Sequence, residues 1–389
     1  MPLVVYLWIA FTLNYVDRQM VYSIFPALRA DLGFDSARLG LLASVFMWVY
    51  TLGMPVAGWM ADRWRAGRLV WLSLVLWSAA TIGCALAGSA WVFLGWRGMI
   101  GLTEALYFPA ALQLLAARYP VETRSRALGF HQSAMYVGVM AGGWFGGWAA
   151  DGIGWRSGFA LAGLLGLAYS AVLWRPVYRA EVVGQHKAAG DWRALARSGK
   201  YLALAGAFCA FNAVQWVVLA WYPTFLQDRF HLSMTDSGWN ATVFVQVSLV
   251  VGIFAGGALA DFWRRRRPMA RLYVAALGVM GSGPLGWMVF QAASLEEARW
   301  ASAGFGFFAG LLAANAFSGA YDVTPEDTRG LAGALLNMSG GLSASVMIYL
   351  AGLWRETVGF APLVGITGTA AVAAAVLLWI VASRRPLST

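Results

Sequence analysis

Apolar stretches of about 20 residues, the length of helix that crosses the hydrocarbon core of a bilayer, recur along the whole of this chain. We predict twelve membrane-spanning helices, with ends accurate to a few residues. They cover residues 3–28, 39–60, 69–87, 91–118, 124–150, 155–174, 201–227, 237–260, 271–292, 300–321, 330–351 and 361–382. Only 12% of the residues are charged, whereas a soluble domain carries roughly 25%. The chain is therefore predicted to be an all-α integral membrane protein.

The longest polar connection divides the predicted helices into two groups of six. We predict an N-terminal six-helix bundle over 1–174, a cytoplasmic linker over 175–200 and a C-terminal six-helix bundle over 201–389. The two groups share short sequences. "AGWMADRW" follows the second helix and "GGALADFW" follows the eighth, while "ETRSRALG" opens the fifth and "DTRGLAGA" opens the eleventh. Such parallel repeats indicate two pseudo-symmetric bundles with a substrate site between them, near the middle of the bilayer.

Lys and Arg residues set the expected orientation, because cytoplasmic loops carry an excess of both. With both termini in the cytoplasm, most of the 28 Lys and Arg residues fall on the cytoplasmic side. We therefore expect a multi-pass protein of the cell's inner (plasma) membrane, whose first apolar stretch is retained rather than cleaved. The net charge of +10 then reflects topology and contact with the lipid bilayer, and no nucleic acid is expected as a partner.

Motifs that carry enzymatic chemistry are missing from the sequence. It has no His/Cys set with metal-ligand spacing, no Gly-rich phosphate loop and no nucleophile elbow. Its two cysteines, Cys84 and Cys209, fall inside apolar stretches. We therefore expect the protein not to be an enzyme, and we expect no cofactor, no metal site and no nucleotide-binding domain that would power transport by hydrolysis.

Four charged residues fall inside predicted membrane helices and away from the helix ends. Asp17 and Arg18 lie near the middle of the first helix. Arg97 and Glu104 lie on the fourth, seven residues apart, which is about two helical turns. A charge at the bilayer centre costs about 3 kcal/mol or more on insertion scales. These side chains are therefore expected to meet in a cavity rather than to face lipid.

Two interpretations of this cluster remain open at the level of sequence. A purely structural quartet would lock the first and fourth helices together, although buried ion pairs stabilise poorly compared with apolar packing. In the functional interpretation, a carboxylate balanced between burial and a nearby Arg titrates in the physiological range. Its protonation frees the Arg for an anionic substrate, so that proton and substrate favour the same state. This second interpretation predicts proton-coupled symport of a small organic anion.

Six short motifs occur in order along the chain. They are "NYVDR" on the first helix, "EALYFPA" on the fourth, "SAMYVG" and "GWRSGF" around the fifth, "WYPTFL" on the seventh and "NMSGGL" on the eleventh. Together they resemble the anion:cation symporter family, and "GWMADR" resembles the loop 2–3 signature of the wider major facilitator superfamily. Members of the symporter family carry sugar acids, other organic anions, sialic acid and, in vesicles, glutamate. The resemblance implies the twelve-helix major facilitator fold and a secondary active transporter that works by alternating access.

The resemblance also implies roles for the four charges. Arg18 would contact the substrate carboxylate. Asp17 and Glu104 would form the protonatable pair, with Arg97 as the partner of Glu104. His131, about two turns into the fifth helix, is a further candidate for proton transfer because histidine titrates near neutral pH; a hydrogen-bonded packing role is the alternative.

Polar side chains at mid-membrane positions are candidates for substrate binding. In the first half they are Tyr15, Tyr107 and Tyr136, for which aromatic packing is the alternative. In the second half they are Asn212, Gln215 and Asn337. The second half has no Lys or Arg at mid-membrane, so one free cation is available for one carboxylate, and the amides suit hydroxyl groups. The predicted substrate is a hydroxylated monocarboxylate such as an aldonate or a uronate.

Five charged residues at predicted cytoplasmic helix ends are candidates for gating: Asp62, Arg63, Asp261, Arg124 and Arg329. Asp62 and Asp261 are 199 residues apart, and Arg124 and Arg329 are 205 apart. A carboxylate at such a boundary can cap a helix end and pair with an arginine of the other half. That contact would hold the cytoplasmic side shut in one state. A role limited to setting topology is the alternative.

Two other transport functions are compatible with parts of the sequence. A lipid or lysolipid carrier of the spinster type also has a first helix resembling N-Y-x-D-R and an Arg/Glu pair on the fourth. A drug:proton antiporter would favour an aromatic cavity with a carboxylate and no free Arg. We favour the anion symporter because of "WYPTFL" and "GWRSGF". The expected form is a monomer whose partners are the organic anion, protons and the bilayer.

Overall fold

The protein is described by a computed structural model that covers residues 2–180 and 191–384. This part of the chain consists of α-helices joined by short loops, with one 3-10 turn at Glu326–Thr328. The α-helices are α1 Leu3–Ser23, α2 Phe25–Leu32, α3 Ser36–Arg63, α4 Ala66–Ala85, α5 Ala90–Ala105, α6 Tyr107–Arg118, α7 Val121–Gly152, α8 Trp155–Arg179, α9 Trp192–Arg197, α10 Gly199–Phe230, α11 Met234–Arg264, α12 Ala270–Val289, α13 Leu295–Asp322, α14 Arg329–Trp354 and α15 Phe360–Ser383.

Each predicted span corresponds to one long helix or to two consecutive helices. Ten segments of the described residues are long and apolar enough, by length and composition alone, to cross a membrane. The other two predicted spans correspond to α1 with α2 and to α7, which carry buried polar or charged side chains such as Arg18 and His131. The all-α architecture predicted from the sequence is confirmed.

Two prolines divide helices that the sequence predicts to be continuous. The first predicted helix is interrupted at Ile24, two residues before Pro26. The fourth is interrupted at Leu106, three residues before Pro109. Proline lacks an amide hydrogen and its ring clashes with the carbonyl four residues earlier, so a helix breaks or bends just before it. The second break leaves Glu104 in the last turn of α5, beside the bend.

The described residues form two compact units. Unit 1 contains α1 to α8 together with Leu226–Thr242, and unit 2 contains α9, α12 to α15 and the rest of α10 and α11. Within the predicted linker 175–200, α8 continues to Arg179 and α9 occupies Trp192–Arg197. Residues 181–190 of that linker lie outside the described part of the chain. The predicted division into two domains with a linker stays a prediction.

The segment Leu226–Thr242 is joined to the rest of unit 1 by hydrogen bonds. The Asp151 carboxylate, near the end of α7, accepts from the backbone amide of Thr235 at 2.8 Å and from its hydroxyl at 2.6 Å. The Gln227 side-chain amide donates to the Ser23 carbonyl, at the end of α1, over 3.1 Å. The bonds to the Thr235 amide and to the Ser23 carbonyl satisfy backbone groups at helix ends that lack a partner within their own helix.

Glycines on α7 allow α1 to approach closely. Gly138, Gly142 and Gly146 lie four residues apart and therefore on one face of α7. A Cβ at Gly138 would lie 2.7 Å from the Thr12 carbonyl oxygen, and a Cβ at Gly142 would lie 2.7 Å from that of Val16. Gly146 meets the α1 backbone one turn further on. Because the contacts advance along both helices in the same direction, α1 and α7 are parallel, and small residues at the interface permit their separation to be short.

The internal repeat seen in the sequence extends to details of the backbone. Ser89 before α5 and Ser294 before α13 are 205 residues apart, and each side chain accepts a hydrogen bond from the amide three residues later. Gly154 before α8 and Gly359 before α15 are also 205 residues apart, with φ of 85° and 81°. That region of φ favours glycine because it has no Cβ. A serine therefore precedes both α5 and α13, and a glycine precedes both α8 and α15.

Replacing Gly142 by alanine is expected to destabilise unit 1, because the added methyl group meets the backbone of α1. Overpacking of this kind costs about 1–3 kcal/mol. The matched control is Gly129→Ala on the same helix, where a Cβ would meet no atom within 4 Å. Thermal unfolding of the purified variants in detergent makes the comparison, and G142A is expected to unfold at the lower temperature. Equal unfolding temperatures would show that this close approach does not limit stability.

Candidate functional site

Four charged side chains of unit 1 converge inside the protein. Asp17 and Arg18 come from α1, and Arg97 and Glu104 come from α5. Their exposed fractions are 4%, 5%, 0% and 1% in that order. The charges therefore avoid lipid by facing other helices of their own unit, as the cost of burial demanded.

The central contact is an ion pair between α1 and α5. Arg18 Nε lies 2.6 Å from Glu104 Oε2, whereas the family resemblance pairs Glu104 with Arg97. Arg97 instead donates from one terminal nitrogen to the backbone carbonyl of Asp17 over 3.2 Å. Arg97 therefore contacts α1 at the residue next to Arg18, and the two guanidinium groups share the Phe46 ring. In this conformation Glu104 is bound to Arg18, the arginine that is predicted to contact the substrate.

Aromatic rings surround the Arg18 guanidinium. Its central carbon lies 4.7 Å from the centre of the Tyr15 ring, 4.2 Å from that of Tyr50 and 5.1 Å from that of Phe46. Phe46 also lies 4.9 Å from the guanidinium of Arg97. The faces of aromatic rings attract cations, so the rings hold the arginine without neutralising it. Sequence reasoning found Tyr15 but missed both α3 aromatics, because aromatic residues in an apolar stretch carry no distinguishing signal.

Several polar atoms of the cluster have no hydrogen-bond partner among the described residues. They include two guanidinium nitrogens of Arg97, whereas the Asn14 side chain lies close enough to Glu104 to interact with it. The Asp17 carboxylate has the Thr81 hydroxyl of α4 at 3.3 Å; the sequence analysis did not find this threonine. Buried polar atoms normally have partners. The cluster therefore has unused hydrogen-bonding capacity for a proton, a water molecule or a substrate group.

Tyr107 and His131 form a second polar contact on unit 1, separate from the charges. The Tyr107 hydroxyl lies 2.6 Å from the Leu7 carbonyl oxygen and 3.1 Å from His131 Nε2. A hydroxyl donates one proton, which the carbonyl accepts, so Nε2 is the nitrogen that carries hydrogen. The His131 ring stacks on Phe11 at 4.6 Å. Tyr107 and His131 are both fully buried, which agrees with a packing role for each of them. Tyr136 of α7 is half-buried and therefore more accessible.

The predicted amides of unit 2 lie on α10 and α14. Asn212 is half-buried and donates to the Phe208 carbonyl over 2.8 Å. A Cβ on Gly340 of α14 would lie 3.0 Å from the side-chain nitrogen of Asn212. Helices α10 and α14 are therefore close to each other at Asn212. Gln215 is half-buried, with a side-chain oxygen that has no partner among residues 191–384, and Asn337 is exposed. These amides are placed to offer hydrogen bonds, and their role in substrate binding stays a prediction.

The five predicted gating residues lie at helix ends, as expected. Asp62 accepts from the Gln113 side chain over 3.0 Å, which joins α3 to α6. Arg124 donates to the Tyr119 carbonyl over 3.3 Å. The Arg63 guanidinium lies 4.4 Å from the centre of the Trp59 ring. Arg329 donates to the Glu326 carboxylate over 3.0 Å, and Asp261 is exposed. Each of these contacts lies within one unit, and their role as gates stays a prediction.

Long apolar helices in two sequence repeats, with charges buried in the first repeat, and a match to a transporter family define the class of this chain: it is a membrane transporter and not an enzyme. It belongs to the Major Facilitator Superfamily, because the model of that family matches residues 7–295 and 227–389. The predicted major facilitator fold, an all-α membrane protein with two six-helix halves, is thereby confirmed. The chain is a multi-pass secondary transporter.

Similar proteins include carriers of sugar acids. The chain is 26% identical over 389 residues to the probable galactarate/D-glucarate transporter GudP of Escherichia coli strain K12, covering 88% of this chain and 84% of that protein. It is 24% identical over 416 residues to the D-galactonate transporter of Escherichia coli O6:H1, covering 95% and 93%. A bacterial homolog of the human lysosomal transporter Spinster, solved inward-facing and unoccupied, superposes with a TM-score of 0.78 at 20% identity, covering 98% and 95%.

The Arg18–Glu104 contact is expected to appear as coupling in a double-mutant cycle. Glu104→Gln leaves the Arg18 cation buried without its anion, and loss of one partner of a buried pair costs about 3–5 kcal/mol. Arg18→Met with Glu104→Gln removes both charges and is expected to regain most of that stability. Unfolding temperatures of the two single variants and the double variant in detergent give the cycle. Additive losses would show that the two side chains do not interact.

Proposed function

We propose that this protein is a proton-coupled symporter that carries a hydroxylated organic monocarboxylate by alternating access. The observation that carries the proposal is the buried pair of Arg18 with Glu104, at 2.6 Å. The pair combines a cation that can bind an organic acid with a carboxylate that can take a proton. The names of two relatives, carriers of galactarate or D-glucarate and of D-galactonate, support sugar acids as the substrate class.

Protonation of Glu104 is the step that couples the two solutes. The protonated side chain is neutral, so it attracts Arg18 less strongly. The arginine remains buried among the rings of Tyr15 and Tyr50, and a buried cation without an anion is unfavourable. A substrate carboxylate then replaces the glutamate and accepts the two parallel hydrogen bonds that a guanidinium offers. Proton and substrate each favour binding of the other, which is what symport requires.

Asp17 supplies a second carboxylate close to the first. The Thr81 hydroxyl lies 3.3 Å from this carboxylate and 2.9 Å from the Trp77 carbonyl oxygen, and Arg97 is held against the backbone carbonyl of Asp17. Arg97 therefore offsets negative charge in the cluster while Arg18 changes partner. In this proposal Asp17 and Glu104 are the proton-coupling pair, Arg97 balances their charge, and His131 is not needed for coupling because its ring is packed on Phe11.

The distribution of cations favours a substrate with one carboxylate. Residues 201–225, 243–260, 300–321 and 330–351, which form the inner parts of long helices of unit 2, contain no Lys or Arg. Asn212, Gln215 and Asn337 offer amides instead, and amides both donate to and accept from hydroxyl groups. A sugar acid of the D-galactonate type, with one carboxylate and several hydroxyls, matches one free arginine and several amides.

Glu104→Gln is expected to uncouple transport from the proton gradient. Glutamine keeps the shape of the side chain but cannot take up a proton at neutral pH, so inward accumulation of D-galactonate into proteoliposomes driven by a pH gradient is expected to fall at least tenfold. Counterflow exchange, which needs no net proton movement, is expected to persist at a reduced rate and shows that the variant is folded. Full pH-driven uptake by E104Q would remove Glu104 from the coupling.

Arg18→Lys is expected to weaken substrate binding by roughly tenfold or more, because an ammonium group cannot form the paired hydrogen bonds of a guanidinium. Isothermal titration with D-galactonate measures the loss. The control is Arg156→Lys, an exposed pair partner of Asp31 outside the cluster, which is expected to bind normally. Unchanged affinity in R18K would place the anion site elsewhere.

A ligand screen separates the proposed substrate class from its alternatives. Stabilisation of the wild-type protein against heat is expected to be larger with D-galactonate than with D-glucarate, since the second carboxylate of the latter finds no second free arginine. Lysophosphatidylcholine and a lipophilic cation represent the lipid carrier and the drug antiporter. Stabilisation by either of these two and by neither sugar acid would contradict the proposal.

A further inference from the structure

A cavity of about 400 Å³ lies in unit 2, and none of its lining residues belongs to the charged cluster. It is formed where α11 ends, α12 begins and α15 ends. Its lining residues are Phe262, Trp263, Arg266, Arg267, Tyr273 and Trp379. We call this cavity the basic–aromatic pocket. It combines two cationic side chains with four aromatic ones, a composition that neither the fold nor the proposed transport cycle requires.

The aromatic wall of the pocket is held in place by its own contacts. The rings of Tyr273 and Trp379 lie 4.8 Å apart, which joins α12 to α15. The Tyr273 hydroxyl is hydrogen-bonded to the Ser383 hydroxyl over 3.2 Å. The Arg267 guanidinium lies 5.6 Å from the centre of the Tyr273 ring. One of the two cations therefore lies against the aromatic wall, and its side chain is exposed.

The charge in this region is unbalanced. Four arginines follow one another from Arg264 to Arg267. Arg264 contacts Asp322 at 3.7 Å, but Arg266 and Arg267 form no ion pair with any residue in the described part of the chain. Two neighbouring guanidinium groups that lack an acidic partner repel each other and favour binding of an anion with several acceptor oxygens.

The position of the pocket relates it to lipid. Trp and Tyr side chains are typical of the boundary between hydrocarbon and water, and the pocket lies at the ends of three helices that can cross a membrane. Phe262, on its rim, is 62% exposed, so an apolar surface continues outward from the cationic centre. A soluble anion would gain nothing from that surface, whereas the acyl chains of a lipid would cover it.

We propose that the basic–aromatic pocket binds the headgroup phosphate of an anionic phospholipid. Arg266 and Arg267 bind the phosphate oxygens, as arginines at the membrane surface commonly do. The rings of Tyr273 and Trp379 pack against the glycerol backbone, and the acyl chains pass over Phe262. The bound lipid would hold the ends of α11, α12 and α15 together. This site is independent of the proposed transport function.

The test compares arginines of the same run that differ in their relation to the pocket. Each of Arg266→Gln and Arg267→Gln removes one charge from the pocket, and Arg265→Gln removes one charge from a residue that does not line it. Native mass spectrometry of the delipidated full-length protein, titrated with phosphatidylglycerol, measures affinity. One arginine near an anionic surface contributes about 1 kcal/mol, a factor of roughly five, so fivefold weakening is expected for R266Q and R267Q and less than twofold for R265Q.

Two further measurements fix the identity of the ligand. Phosphatidylcholine, which carries no net charge, is expected to bind at least tenfold more weakly than phosphatidylglycerol to the wild-type protein. Inorganic phosphate at millimolar concentration is expected not to displace the lipid. If phosphatidylglycerol binds equally weakly to all three arginine variants, the lipid is attracted by the whole run of arginines, and the proposal of a specific pocket is wrong. Displacement by inorganic phosphate would assign the site to a soluble anion and overturn the lipid.

Discussion

The ion pair between Arg18 and Glu104 is the interaction around which unit 1 is built. Placing both charges out of water is costly, and apolar side chains of equal volume would stabilise the bundle better. The surrounding structure limits that cost: aromatic rings face the cation, and the bend at Leu106 leaves the glutamate at the end of its helix. A buried pair that stabilises the bundle poorly fits the coupling role that we propose for it better than a purely structural role.

One face of α1 packs against α7, and the opposite face carries the polar groups of the charged cluster. Thr12 and Val16 meet the glycine face of α7, where backbones are in contact. Residues two positions further along a helix are rotated by about 200°, so Asn14 and Arg18 point the other way, towards α5. Close packing on the first face therefore fixes the position of the polar groups on the second. Such a rigid support keeps a charged side chain aligned while its partner changes.

Much of this architecture could be read from the sequence, because membrane thickness and the cost of buried charge are strong constraints. The helical spans followed from apolar length, and the meeting of Asp17, Arg18, Arg97 and Glu104 followed from helical spacing. The pairing within the cluster did not, since it depends on the bend at Leu106 and on side-chain conformations. Tyr50 and Thr81 were missed because an aromatic ring or a hydroxyl in an apolar stretch looks the same whether it packs or serves a site.

The two sequence repeats differ at the positions that carry the buried charges. The 205-residue offset that relates Ser89 to Ser294 and Gly154 to Gly359 also relates Arg97 to Ser302 and Glu104 to Ala309. One copy thus carries two buried charges, while the other has small, uncharged residues at the matching positions. If the amides of the second copy select the substrate and the charges of the first couple transport to protons, as we propose, then single substitutions in the second copy can change the substrate without altering the coupling.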